Sequence, residues 1–215
     1  MSSNWMHKAA VLPFAALLGW LPAPVEAADP ALDRAAAAMG ATNLKTLRYS
    51  GDGTGYTFGQ AYKPGLAWPR INIRSFARTV NYDTGSMRDE ILFSRAEPLG
   101  GGGYPHTGNQ RNDQYVSGGF AWNGSPGGPA PGPRFVADRV HQLWITPQGV
   151  IKAAIRNNAT VRQETRNGKT YAAASFTEPG RFKAVALIGA DGLVERVESH
   201  YPDPVLGDTP MVTTF

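Results

Sequence analysis

The chain has 215 residues, 42% of them hydrophobic and 18% charged, so it can form a packed core and is not a disordered protein. Its net charge is only +4 and its basic residues are dispersed, which argues against nucleic acid as a partner. The absence of cysteine excludes disulfides, thiolate chemistry and a lipid anchor on cysteine. The 25 glycines and 17 prolines favour short elements joined by many turns.

Residues 1–27 have the layout of a secretory signal peptide. His7 and Lys8 precede an apolar stretch over residues 9–21, and Val25-Glu26-Ala27 is a small-x-small ending typical of a cleavage site. The alternative is an uncleaved membrane anchor, but the apolar stretch is shorter than the roughly 20 residues that span a bilayer. We therefore expect cleavage near Ala27, no transmembrane segment in the mature protein, and a periplasmic location.

The first half of the mature chain is predicted to contain one helix followed by strands. Asp29-Pro30 is an N-cap followed by a first-turn proline, and Gly40 ends that helix. The glycine-rich segment 51–55 predicts a bulge or turn within the strand region. Residues 99–113 are predicted to form a polar, glycine-rich loop. Strands are predicted at 48–50, 56–58, 71–76, 78–82 and 90–94, and a hairpin at 115–122.

The second half begins with a helical pair and then returns to strands. Residues 138–145 carry apolar side chains at helical spacing, and Thr146-Pro147 repeats the N-cap signature before an amphipathic helix. Asn167-Gly168 is a strong two-residue hairpin signal, and residues 190–192 predict a second hairpin. This succession predicts an α+β fold with antiparallel strands, an N-terminal helix and a central helical pair.

No catalytic motif is complete in this sequence. None of the four histidines stands at the i, i+2 or i, i+4 spacing of common zinc sites. Asp83-Thr84-Gly85 matches the aspartic-protease triplet, but a single copy between two strand segments is more simply a turn. An enzyme with a novel site near His106, His141 or His200 is kept as an alternative.

Aromatic side chains are the best candidates for binding. They are spread over several predicted elements, where they either pack in the core or line an apolar concavity that holds an acyl chain or another hydrophobic small molecule. The candidate ligand-binding residues are Tyr56, Trp68, Tyr82, Trp122 and Trp144.

Five segments of the chain resemble the N-terminal region of exported proteobacterial hydrolases of the metallo-β-lactamase fold. They are residues 47–53, 81–84, 113–118, 142–149 and 203–210. The resemblance implies a curved antiparallel sheet, or half-barrel, with the helices on its concave side, as in the LolA-like lipoprotein carriers of bacteria. It also implies a zinc-binding hydrolase domain after this region. No position in this sequence matches a zinc ligand of that domain, so we expect no cofactor in this chain itself.

The predicted function is therefore that of a non-catalytic accessory module of a periplasmic hydrolase with the metallo-β-lactamase fold. On this hypothesis residues 28–215 form an incomplete LolA-like domain, truncated before the zinc domain, and the partner is that missing C-terminal domain. Residues 208–215 would then form an unfinished edge strand that is prone to association. The alternative is a free-standing periplasmic carrier of a hydrophobic ligand.

Overall fold

The computed structural model describes residues 29–57, 60–61, 63–96, 108–178, 181–203 and 207–215. The predicted signal peptide and His106 lie outside these residues. Three α-helices are described: α1 (Pro30–Ala38), α2 (Val136–Trp144) and α3 (Pro147–Arg156), with a 3-10 turn at Pro133–Phe135 before α2. Within the described part of the chain, no helix combines the length and the apolar character that crossing a membrane requires.

The described strands form two antiparallel sheets in which every strand pairs with its neighbour in sequence. The six-stranded sheet contains β1 (Thr46–Tyr56), β2 (Arg70–Asn81), β3 (Ser86–Arg95), β4 (Asn109–Ser117), β5 (Phe120–Asn123) and β6 (Ala130–Pro131). The five-stranded sheet contains β7 (Thr160–Arg166), β8 (Lys169–Glu178), β9 (Phe182–Ile188), β10 (Val194–Asp203) and β11 (Gly207–Thr214). The predicted α+β class with antiparallel strands is confirmed, while the placement of the helices on a concave side stays a prediction.

Local turn chemistry explains the hairpins. Asn167 and Gly168 have φ of 52° and 78°, the left-handed values that a two-residue turn with matching twist requires, and Arg166 pairs directly with Lys169. The predicted bulge in β1 is confirmed by a register shift between Gly51 and Gly53. The predicted loop over 99–113 is wrong at its C-terminal end. Residues 109–113 belong to β4 because they pair with β3, and that pairing overrides their polar composition.

Side-chain caps begin two of the helices as predicted. The carboxylate of Asp29 accepts a hydrogen bond of 2.8 Å from the backbone N–H of Ala31, and the hydroxyl of Thr146 accepts one of 3.2 Å from Gly149. Helix α2 packs against β3, β4 and β5, whereas α3 packs against β8, β10 and α1. The helical pair therefore joins the two sheets, and one buried hydrophobic cluster contains side chains from both.

Strand β11 pairs with β10 and is, as predicted, an edge strand of its sheet. The backbone N–H of Phe215 donates to the carbonyl of Glu195, and alternation along the strand turns the backbone of residue 210 away from β10. Pro210 occupies that outward position and lacks an N–H, so it removes one donor from the edge. Association through this edge stays a prediction.

Candidate functional site

The structure brings together two of the five candidate aromatic residues. Tyr82 follows β2 and Trp144 ends α2; their rings lie 5.9 Å apart and are only 6% and 5% exposed. Trp122 stacks instead on Tyr115, with ring centroids 5.3 Å apart, on the sheet face opposite the core. Tyr56 and Trp68 are 58% and 41% exposed, in β1 and in the segment before β2.

Tyr82 and Trp144 line a cleft of about 450 Å³ between α1, α3 and the turn that joins β2 to β3. The size falls within the range of small-molecule sites in proteins. Four aliphatic side chains complete the apolar part of the lining: Ala36, Ala41, Ile151 and Ile155. Its polar part consists of Asp33, Thr42, Asp83, Lys152 and Arg156. The cleft can therefore hold an apolar body while its polar groups face water.

A buried hydrogen-bond chain fixes the ring of Tyr82. The hydroxyl of Thr146 donates to the carbonyl of Leu143 at 3.0 Å, so the hydroxyl of Tyr82, 2.9 Å away, donates to Thr146. Burial raises the pKa of Tyr82, although the hydrogen bond with Thr146 opposes this shift. A Cβ at Gly149 would lie 2.4 Å from the Thr146 hydroxyl oxygen and 2.7 Å from the Leu143 carbonyl. Glycine at this position thus allows α3 to begin directly against the wall of the cleft.

Two cations of α3 lie over the aromatic rings of the cleft. The guanidinium of Arg156 is 4.1 Å from the Trp144 ring centroid, and the ammonium of Lys152 is 5.7 Å from that of Tyr82. Arg156 also donates to both carboxylate oxygens of Glu178, at 2.8 and 2.7 Å. These contacts hold the two cations at the border of the cleft, where they can meet the polar end of a ligand.

Lys152 and Arg156 were not among the residues predicted from sequence. They stand four positions apart on α3, so they lie on one stripe of the helix surface. Ile151 and Ile155 are also four positions apart and form the neighbouring stripe. That signal was available in the sequence. The sequence did not show which aromatic ring each cation would contact. Tyr82, for example, lies 70 residues before Lys152, and only the folded chain brings the two together.

The described histidines do not form a common site. His141 is 1% exposed, and its Nε2 lies 2.9 Å from the hydroxyl of Ser199 in β10. Burial lowers the pKa of His141 to about 4, so its imidazole is neutral near pH 7. His200 follows Ser199 in the same strand and therefore points to the other face of the sheet, where it lies 3.4 Å from a carboxylate oxygen of Asp208.

The Asp83-Thr84-Gly85 segment forms the turn between β2 and β3. The side-chain oxygen of Asn81 accepts hydrogen bonds from the backbone N–H groups of Asp83 and Thr84, at 3.0 and 3.1 Å. Gly85 takes a φ of 61°, which suits a glycine. The interpretation as a turn is confirmed. The carboxylate of Asp83 faces water and Lys45 rather than a second aspartate in the described chain.

Across the described ranges, no group of three or more histidine, aspartate or glutamate side chains is arranged to hold a metal ion. Comparisons with family models, with curated proteins and with solved structures returned no match to this chain. The resemblance to the N-terminal region of hydrolases with the metallo-β-lactamase fold therefore stays a prediction from sequence.

Proposed function

We propose that this chain acts by binding, and that the cleft between α1, α3 and the β2–β3 turn takes an apolar small molecule. The observation that carries the proposal is the cleft itself: about 450 Å³, with aromatic and aliphatic side chains in its lining and polar groups at its border. A mostly apolar concavity with a few placed polar groups is the usual form of a ligand site.

The fixed geometry of the aromatic lining supports this proposal. Tyr82 is held by its hydrogen bond to Thr146, and Trp144 contacts both the ring of Tyr82 and the guanidinium of Arg156. A preformed site loses little conformational entropy when it binds, so its apolar contacts contribute more fully to affinity. The buried His141 contributes no comparable site, because its imidazole is enclosed by the core and does not reach the cleft lining.

The resemblance adds a proposal about context: that this binding module serves a zinc hydrolase domain as its non-catalytic accessory region in the periplasm. Reading the coding sequence beyond residue 215 tests this part. A continuing frame that encodes a His-x-His-x-Asp-His motif supports the accessory role. An immediate stop codon favours the alternative, a free-standing carrier.

A titration with a fluorescent long-chain fatty acid tests binding at the cleft. Ile155 lines the cleft and is half-buried, so Ile155→Trp is expected to fill the space and lower affinity by about tenfold or more, as expected when a ligand loses its apolar pocket. Val212→Trp is the matched control, because Val212 is 52% exposed on β11, outside the cleft lining.

The proposal requires saturable binding near one ligand per chain, reduced by Ile155→Trp and unchanged by Val212→Trp. Equal affinity in both variants, with both proteins folded by circular dichroism, would show that the fatty acid does not use the cleft. The absence of saturable binding in the unaltered protein would refute a site for acyl chains altogether.

A further inference from the structure

A second groove crosses the outer face of the five-stranded sheet, away from the cleft. Along β8, Ala172, Ala174 and Phe176 belong to the buried core, so alternation turns Ser175 and Thr177 to the opposite face. These two small side chains leave a depression of about 410 Å³ between the longer side chains of the neighbouring strands.

The groove is bordered by basic side chains from three strands. Arg162 comes from β7, Lys183 from β9 and His200 from β10, and all three are exposed. Neither Arg162 nor Lys183 forms an ion pair with any residue that the structure describes. Two strong cations therefore border this groove without an ion-pair partner among the described residues.

The one carboxylate in the lining is already engaged. Glu198 accepts hydrogen bonds from Arg166 and, at 2.8 Å, from Arg196, and the hydrogen bond from Arg166 is the main cause of its lowered pKa. Arg166 of β7 and Arg196 of β10 thus hold this carboxylate as an anion. Because Glu198 is matched by these two cations, it does not offset Arg162 and Lys183.

The floor of the groove supplies neutral donors. The hydroxyl oxygen of Ser175 is buried and has no hydrogen-bond partner among the described residues, and Thr177 lies two positions further along the same face. A buried polar atom without a partner costs free energy unless something binds it. An oxyanion accepts hydrogen bonds from hydroxyl, ammonium and guanidinium groups alike, and so matches this set of donors.

From this arrangement we propose that the outer groove over β8 binds a phosphate-type oxyanion, with Arg162 and Lys183 as the charged contacts and Ser175 as the floor donor. The site is separate from the cleft and does not depend on the function proposed for it. The oxyanion is either free in solution or the headgroup of an anionic lipid, since both present the same oxygen atoms.

The test uses the full chain, with inorganic phosphate in calorimetry and with vesicles of phosphatidylglycerol or phosphatidylcholine in sedimentation. The double variant Arg162→Gln, Lys183→Gln should weaken binding by about tenfold or more, the effect expected from losing charge-assisted hydrogen bonds. The control Arg48→Gln, Lys63→Gln removes the same charge from exposed residues elsewhere and should leave affinity unchanged. Ser175→Ala should also weaken binding, because a merely electrostatic surface would not need the hydroxyl.

Binding of inorganic phosphate that responds to these variants supports the site with a free oxyanion. Binding restricted to phosphatidylglycerol vesicles, with the same response, supports it with a lipid headgroup. The proposal is overturned if neither probe binds, if the control double variant loses as much affinity as the groove variant, or if Ser175→Ala has no effect.

Discussion

The six-stranded sheet meets α2 through buried arginine side chains, whereas the five-stranded sheet contributes small apolar side chains to the core. The polar contacts of the five-stranded sheet with the helices include the ion pair of Arg156 with Glu178 and the contact of His141 with Ser199. Arg78 of β2 donates to both carboxylate oxygens of Asp89 in β3, at 2.7 and 2.6 Å, and to the side chain of Gln142 in α2 at 2.8 Å. In the other sheet, Ala174 and Ala186 are completely buried in the hydrophobic cluster. Buried arginine contacts thus fix the helical layer on one side, and close packing of small side chains accompanies the polar contacts on the other.

A second buried arginine makes the contrast sharper. Arg139 of α2 is 2% exposed and donates to the backbone carbonyls of Tyr115 and Trp122, at 2.9 and 2.7 Å, and to the side chain of Asn123 at 2.5 Å. Burial lowers its pKa. Contacts of this kind fix the orientation of α2 over β4 and β5, but they are sensitive to the loss of one partner, because a buried group left unpaired is costly. Apolar packing loses stability in proportion to the volume removed.

The largest expected effect comes from breaking the buried ion pair. Asp89→Ala should destabilise the protein by about 3–5 kcal/mol, because it leaves the guanidinium of Arg78 buried without its carboxylate. The neighbouring Glu90 pairs with Arg88 and Arg111 on the exposed face of the same strand, so Glu90→Ala should cost about 1 kcal/mol or less. Urea denaturation of the two variants measures both values. Similar losses would contradict the weight given to the buried ion pair in fixing the six-stranded sheet.

The next effect concerns the polar contact between α2 and the five-stranded sheet. His141 has a folded-state pKa of about 4, below its ordinary value of 6.5, so the unfolded chain binds the proton first as the pH falls. Stability is therefore fully present above pH 6.5 and should fall by about 3 kcal/mol as the pH approaches 4. Because glutamine does not titrate, His141→Gln should lose this part of the pH dependence. Identical pH profiles of unfolding for both proteins would refute the assignment.

The smallest of these effects is expected at the junction of α2 and α3. Gly149→Ala would bring a Cβ against the carbonyl of Leu143 and the hydroxyl of Thr146, and should destabilise the protein by about 1–3 kcal/mol through overpacking. Gly119→Ala is the matched control, since a Cβ there meets nothing within 4 Å and the backbone is not left-handed. Thermal unfolding compares the two, and a larger loss for Gly119→Ala would contradict the role given to Gly149.

Features that depend on a few adjacent residues could be predicted from the sequence. The cap at Asp29, the Thr146-Pro147 helix start and the Asn167-Gly168 hairpin each follow from local backbone chemistry, and the structure shows all three. The strand character of residues 109–113 could not, because it comes from pairing with β3 rather than from their own propensity.

The sequence supplied the candidate aromatic residues, but not which of them lie together. The sequence left open whether the aromatic side chains pack in the core or line an apolar concavity, and it did not show that Tyr82 and Trp144 lie next to each other. Trp122 belongs to a stack across β4 and β5 instead, because the strand register turns it to the other face of the sheet. The pairing of Arg78 with Asp89 and Gln142 was equally inaccessible, since it requires both the register of β2 with β3 and the position of α2.

The most direct test of the proposed binding function is the fluorescence of Trp144 itself. In a full chain in which every other tryptophan is changed to phenylalanine, a fatty acid carrying bromine atoms on its chain is titrated into the protein. The proposed site predicts quenching that saturates near one ligand per chain, because Trp144 lines the cleft. It also predicts weaker binding for the double variant Ile155→Trp, Trp144→Phe. In this variant the indole stands at a different position of the same lining. No quenching of Trp144 at ligand concentrations that saturate binding would contradict the account.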